Sequence, residues 1–401
     1  MTDVAVIGAG PAGLMAAEMM AGAGHQVTLF EQMPSPARKF LMAGLGGLNI
    51  THSGTADDIK QAYFHASPAL RAAIDAFPPD AVCAWMDALG EPGFTGSSGK
   101  IFPRSFKTSP LLRQWLRRLE SRNVRLLTRH TWIGFDYNGA LLFQTGSGER
   151  LTFHCAATVF ATGGASWPRL GSDGKWVEPL AALAPVEPLV PSNMGINIDW
   201  SDFIRSGFAG TPLKAIRLHL GDRSVAGEVM VTNYGLEGSA IYALSAEMRQ
   251  ALSQGPATIR IDLRPALSEE AIAERLARTP AKHSLANRLR RALKFSALER
   301  ALLHEAGSPP DLARDLAALV KNLPLEVSGH QGLERAISTA GGIAARGLTD
   351  AFMLIEKPGL FVAGEMLDFD APTGGYLLQA ALASGRMAGQ GAVEFLARAE
   401  D

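Results

Sequence analysis

Three glycines near the N-terminus carry the first chemistry in this chain. Gly8, Gly10 and Gly13 stand in the spacing G-x-G-x-x-G, with Pro11 and Ala12 between the last two, and Glu31 followed by Gln32 stands further on. Each glycine has a task. Gly8 allows a tight turn, Gly10 lets a pyrophosphate reach the backbone, and Gly13 lets a helix pack closely on a strand. An acid about 20 residues beyond the first glycines accepts hydrogen bonds from a ribose diol. The pattern predicts a dinucleotide site. A second constellation lies near the C-terminus: Gly364-Glu365, then Thr373-Gly374-Gly375-Tyr376-Leu377 opening a helix. A helix start of this kind offers free N–H groups and a positive dipole end to electron-rich oxygens. Tyr376, His52 and Tyr234 are the side chains that could give up a proton at neutral pH.

These residues need elements to place them. Val4 to Ile7 is a short apolar run, suited to a buried parallel strand; Leu14 to Ala23 reads as a helix and His25 to Phe30 as a second strand ending at Glu31. The mostly apolar stretch from Val4 to Gly24 is not read as a membrane span, because Pro11, Glu18 and the glycine density oppose it. Met1-Thr2-Asp3 lacks the early basic region of a secretory signal. The chain has 401 residues, enough for two or three domains, and a formal net charge of −1, so no global attraction to polyanions follows. Two cysteines, Cys83 and Cys155, form no disulfide framework and have no metal-ligand spacing. No metal site and no membrane partner are expected, and the reading is a cytoplasmic protein.

Arg38 to His52 contains Gly44, Gly46 and Gly47 and reads as a loop against a pocket, with Asn49 and Thr51 as its polar contacts. Asp57 to Leu89 reads as packing helices, and Ser109 to Ser121 as an amphipathic helix. From Lys100 to Arg129 there are nine Lys or Arg and one acid, Glu120, which suits a solvated face, the phosphate of NADPH or a nucleic acid. Ala157 to Ala161 is a buried strand whose end, Ala161-Thr162-Gly163-Gly164, lets the chain run against a ligand at the sheet's carboxyl edge. Prolines 179, 185, 188 and 191 mark a domain crossing. Asn193 to Ile261 reads as strands and Arg264 to Asn322 as helices, with a basic face around Arg288, Arg290 and Arg291.

The strings GAGPAGLMAA at Gly8, RKFLMAGLGGLNITHS at Arg38, GKIFP at Gly99, FATGGASWPRLGSDG at Phe160 and PGLFVAGEMLDFDAPTGGYLLQAALASGRMAG at Pro358 run nearly end to end. In these segments the chain resembles the BaiN/YhiN-like family of NAD(P)/FAD-dependent oxidoreductases. The resemblance implies an α/β fold: a glutathione-reductase-like FAD-binding domain, three-layered on a parallel sheet, with an inserted β-rich domain and a small helical domain. The expected boundaries are 1–189 with 336–401 for the FAD-binding domain, 190–262 with 323–335 for the β-rich substrate domain, and 263–322 for the helical one. It implies that Gly8, Gly10 and Gly13 hold the pyrophosphate and Glu31 the ribose, with Arg38 and Lys39 beside the cofactor. Gly44, Gly46, Asn49 and Thr51 would line the flavin, and Thr162 and Gly163 would abut the nucleotide half. Gly364, Glu365, Gly374, Gly375, Tyr376 and Leu377 would close over the ribityl chain and ring. Many relatives read G-G-G-R-C-N in the flavin loop, whereas here Gly47 and Leu48 stand where that string has Arg and Cys.

The expected activity is that of a FAD-dependent oxidoreductase reducing an activated C=C or C=N bond with electrons from NAD(P)H, a transient donor. No second clean G-x-G-x-x-G marks a separate nicotinamide domain. Tyr376 and His52 are the candidate general acids. The family also admits a flavoprotein acting on ribosomal RNA uridine and a flavin-dependent amine oxidase. A small-molecule substrate is the favoured partner and a nucleic acid the less favoured one.

Overall fold

The computed structural model describes residues 2–280 and 282–400. They fall into two compact units, one of residues 1–191 with 337–401 and one of residues 192–336.

The first unit is built on a five-stranded parallel sheet. Its order is Leu360–Val362, Ala157–Phe160, Asp3–Ile7, Gln26–Glu31 and Arg125–Thr128. The first strand lies at the centre, with Val6 level with Val159 on one side and Leu29 on the other. Its residues Val4, Ala5 and Val6 are fully buried, as a parallel strand covered on both faces requires. The sheet is thus drawn from both ends of the chain and from its middle, and all its strands point their carboxyl ends the same way.

The helix Pro11–Gly22 and the C-terminal helix Tyr376–Glu400 pack on each other through small residues. A Cβ on Gly385 would lie 2.2 Å from the carbonyl oxygen of Ala12, and one on Gly389 would lie 2.8 Å from that of Ala16. The run of Ala, Ser and Gly in the C-terminal helix is therefore a steric need of this contact. The unit also holds two small antiparallel sheets, a meander of His130–Phe135, Leu141–Thr145 and Arg150–Phe153 and a three-stranded sheet of Thr51–His52, Lys100–Pro103 and Gly93–Thr95; Val186–Ser192 and Ser338–Ile343 pair in a further two-stranded sheet.

The segment Arg38–Ala43, expected as loop, is a short helix, and the glycine loop begins only at its C-cap, Gly44. The apolar Phe40, 3 % exposed, anchors it in the core. The basic stripe also differs from expectation in part. Glu18 is buried, and its carboxylate accepts hydrogen bonds from the indole N–H of Trp115 at 2.7 Å, the indole N–H of Trp85 at 3.3 Å and the Arg118 guanidinium at 3.0 Å. Arg122 forms an ion pair with it at 3.6 Å. A buried carboxylate needs such partners, so the middle of the stripe serves the core.

In residues 192–336 a seven-stranded antiparallel sheet runs in the order Leu323–Val327, Ala257–Asp262, Pro212–Leu220, Arg223–Val231, Gly235–Glu237, Ile196–Asn197, Gly329–His330. The helices Glu269–Ala277, Leu285–Leu293, Ala297–Glu305 and Ala313–Lys321 share one apolar cluster with these strands, through residues such as Ile272, Leu289, Leu302, Ile259 and Leu325. The stretch 263–322, expected as a domain of its own, is a layer of this unit. Its helices have apolar residues on one face only and bury them against the sheet. Among the described residues no helix is long and apolar enough to cross a membrane, and no group of three His, Cys, Asp or Glu could hold a metal ion.

Candidate active site

A cavity of about 600 Å³ opens at the carboxyl edge of the parallel sheet, walled wholly by the first unit. Its wall starts at the glycine turn. Gly8 has φ of +101° and its N–H donates to the Phe30 carbonyl at 2.8 Å; a Cβ there would lie 2.3 Å from the carbonyl oxygen of Ala161. No other residue fits, because the turn must pass under the end of the neighbouring strand. Gly10, Pro11 and Ala12 continue the wall. A Cβ on Gly10 would meet nothing within 4 Å, so the space above this backbone is open. The helix that starts here has no side-chain cap, and its first N–H groups need an acceptor from elsewhere.

Glu31 and Gln32 line the same end. The Glu31 carboxylate accepts from the Ala9 N–H at 3.0 Å and the Met33 N–H at 2.8 Å. Burial pushes its pKa up, against the pull of these backbone bonds and of the nearby Arg38. Each oxygen keeps a further lone pair for a hydroxyl. Ala161, Thr162 and Gly163 form the adjoining wall, as the exit of their strand suggested.

Arg38, Lys39, Gly364 and Glu365 stand further along. Lys39 Nζ donates to Glu365 at 2.7 Å and to the Ser166 hydroxyl at 2.5 Å. The other Glu365 oxygen accepts from the Thr339 N–H at 2.9 Å. This ion pair joins the two halves of the chain and leaves the Glu365 carboxylate largely engaged by protein. Asn49, Gly374, Gly375 and Leu377 wall the far end. A Cβ on Gly375 would lie 2.6 Å from the Thr51 backbone, so the flavin-loop segment and the start of the last helix touch there.

Seven sequence-predicted residues do not line the cavity. Gly13 and Gly44 are packing glycines, where a Cβ would lie 1.9 Å from the Gly8 carbonyl oxygen and 1.7 Å from the Thr108 hydroxyl. Gly46 sits on an open part of its loop. Thr51 is buried and donates to Gln379 at 2.6 Å. His52 and Tyr376 stack on each other, with ring centroids 5.6 Å apart and planes at 12°. Both ring nitrogens of His52 face carbonyl oxygens, those of Ser53 at 2.8 Å and Ser98 at 3.0 Å. Burial pushes the Tyr376 phenol upward, so it keeps its proton at neutral pH. Tyr234 belongs to the other unit, where its hydroxyl donates to Glu237 and burial raises its pKa.

The glycine loop also explains its own sequence. Gly47 has φ of +114°, and a Cβ there would lie 2.8 Å from the Phe106 ring; Leu48 is fully buried. Neither position lines the cavity, and Asn49 is the polar side chain this loop presents.

Other wall residues carry no spacing signal. Trp132 comes from the meander, Trp167 and Ser172 from the loop after Gly164, and Lys100 from the small sheet. Trp167 holds φ of +61°, with the Arg169 guanidinium 4.8 Å from its ring centroid. The string from Phe160 to Gly174 was the only hint of that loop. Asn49 Oδ1, Trp132 Nε1 and Ser172 Oγ are buried polar atoms without a hydrogen-bond partner, and all three residues line this cavity. Such atoms are rare in finished interiors. A long, polar, partly anionic ligand fits the uncapped helix, the open backbone at Gly10 and the acid at the end of the second strand.

A Rossmann sheet with this cavity at its carboxyl edge places the chain among the dinucleotide-binding folds. The chain belongs to the HI0933-like family: the model described as HI0933-like protein Rossmann domain matches residues 2–391. It is 25% identical to the 3-dehydro-bile acid delta(4,6)-reductase of Clostridium scindens, covering 98% of this chain and 100% of that protein. It is 26% identical to the ribosomal RNA dihydrouridine synthase of Escherichia coli, covering 95% of this chain and 96% of that one. Among solved structures, the 3-ketosteroid delta1-dehydrogenase of Sterolibacterium denitrificans matches with a TM-score of 0.53 at 13% identity, over 98% of this chain and 99% of that chain. An open flavocytochrome c3 fumarate reductase matches with a TM-score of 0.52 at 16% identity, over 98% and 78%. The two structures share the fold.

Proposed function

We propose that this protein holds FAD in the cavity and reduces an activated C=C, or C=N, bond of a small molecule with electrons from NAD(P)H. The observation that carries this reading is the cavity itself, walled by the glycine turn at Gly8 and by the C-terminal stretch Gly364–Leu377. The full-length likeness to a bile acid reductase supports the direction of the chemistry. Bound FAD supplies hydride transfer, which no side chain can perform.

The chain's own residues do the rest. Backbone N–H groups of Gly10 and Ala12, on either side of Pro11, which has none, receive the pyrophosphate at the uncapped helix start, and Arg38 offsets its charge. Glu31 accepts from the ribose. Lys39 and Glu365 fix the middle of the wall as one ion pair. Asn49, Gly374, Gly375 and Leu377 bound the ring end. Tyr376, next to the wall residues Gly375 and Leu377 and protonated, is the favoured of the two expected proton donors, because both ring nitrogens of His52 are already held by carbonyls.

Anaerobic titration of the purified yellow protein with NADH and with NADPH tests the reading. Bleaching by either supports it. A flavin that only an amine reduces places the protein in the oxidase branch instead. A colourless protein that takes up no added FAD sinks both.

A second reading is action on RNA. The Escherichia coli relative carries an RNA name, and Arg290, Arg291 and Lys294 are exposed with no ion-pair partner among the described residues. RNA binding through this face would weaken steeply with salt and would fail in the double variant R290A/R291A.

A further inference from the structure

The charged side chains of the cavity wall balance except for one. Lys39 pairs with Glu365 at 2.7 Å and Lys175 with Asp173 at 3.2 Å. Arg38 is the cation acting on Glu31. Lys100 also lines the cavity and has no acidic partner among the described residues. Its backbone is firmly set. It stands opposite His52 in the antiparallel pair Thr51–His52 with Lys100–Pro103, and directly opposed residues put their side chains on one face of a sheet. The His52 ring on that face stacks on Tyr376, which opens the last helix after Gly374 and Gly375. Lys100 therefore stands at the ring end of the cavity, away from the phosphate-facing turn at Gly8.

We propose that Lys100 is a catalytic residue that binds the oxygen of the substrate's electron-withdrawing group, so that the substrate is an α,β-unsaturated carbonyl compound. The proposal rests on the reductase reading above. In the step, the β-carbon accepts a hydride from flavin reduced by the nicotinamide donor. The C=C π pair moves so that the carbonyl oxygen gains enolate charge beside the Lys100 ammonium. The α-carbon then takes a proton, and the enolate pair forms the new C–H bond. One C=C becomes one C–C, with two electrons and two hydrogens gained. An ammonium already in place where negative charge develops lowers the barrier without reorganising at the moment of reaction. The loop from Gly44 to Asn49 presents no cation to the cavity, so the electrophile must come from another element.

Pentafluorophenolate, a flat oxyanion that mimics an enolate and is ionised at neutral pH, is the probe. It is titrated against the FAD-loaded protein and followed by the change in flavin absorbance. The wild type should bind it, K100M should bind about tenfold or more weakly, as loss of one charge partner predicts, and K100R should stay within about threefold of wild type. Equal affinity for wild type and K100M, or no binding by either, overturns the proposal. K100R should hold as much FAD as wild type, and K100M should lose far less FAD affinity than probe affinity. If K100M lowers FAD content or bleaching as much as probe binding, Lys100 serves the cofactor, and the proposal fails. If wild type is not bleached by either nucleotide, the reductase reading fails separately, whatever the probe does.

Discussion

The two ends of the cavity are made in different ways. At the phosphate end the wall is mostly backbone: Gly8 under the Ala161 carbonyl, open space over Gly10, and a helix start without a side-chain cap. At the ring end it is made of side chains and tight turns from three distant segments, with Asn49, Lys100 and Gly374 to Leu377 brought together. A backbone site accepts few substitutions and gives a common answer to a common ligand. A side-chain site can change its chemistry residue by residue while the frame stays fixed. On the proposed reading, the end at Gly8 fixes the class of enzyme and the end at Gly374 fixes what this member acts on.

That contrast can be broken by substitution. Gly8→Ala should have the largest effect. The added Cβ would meet backbone at 2.3 Å in a left-handed conformation, so FAD affinity should fall by about a hundredfold or more and the melting temperature should drop. Retained yellow colour would show that the turn tolerates a side chain. Glu365→Gln comes next. It leaves Lys39 without its carboxylate and should cost about 1–3 kcal/mol of stability, read by denaturant unfolding, with a smaller loss of FAD affinity. Glu31→Ala should weaken FAD by about tenfold, the scale of one charge-assisted hydrogen bond, and should weaken FMN, which lacks the adenosine ribose, hardly at all. Tyr376→Phe should leave FAD affinity within about twofold while slowing flavin reoxidation by an enone, as loss of a general acid does. Equal effects of these last two variants on FAD affinity would erase the distinction between the ends.

A fainter signature is pH. The Glu31 carboxyl is raised in the folded state by burial. Folded protein then holds the proton more tightly than unfolded chain, so this group favours folding below its ordinary range near 4.5 and loses that contribution as pH rises through the folded value. In the apoprotein, the melting temperature of wild type relative to E31Q should fall across that rise. A parallel pH dependence in both would remove Glu31 as the source.

The cavity wall at Gly8 and Glu31 was legible in sequence because its signals are local. Glycine spacing, a preceding apolar run and an acid at the next strand's end all lie within residues 4–31, and each is dictated by a contact that the structure contains. The strand ends at Ala161 and Gly364 were readable for the same reason. The ring end was less so. Gly44 looked like a residue facing a ligand, and it packs on Thr108, from a helix far along the chain. Thr51 looked like a polar contact, and its hydroxyl is spent on Gln379. Lys100 was counted in a basic stripe, two of whose other members, Arg118 and Arg122, turn inward to Glu18. Residue type and spacing do not tell which way a side chain faces when its neighbours come from hundreds of residues away. The single core of residues 192–336 was hidden likewise, since amphipathic helices show that they bury a face and not what they bury it against.

The close seating of the last helix on the first, with Gly385 against Ala12 and Gly389 against Ala16, sets an order of events during synthesis. A polypeptide still being translated can form the glycine turn early, but it has no lid for the ring until the segment from Gly364 onward has left the ribosome and reached back to residue 12. This wall is thus complete only after Gly385 has emerged, and on the proposed reading a preparation truncated before Gly385 should come from cells without colour.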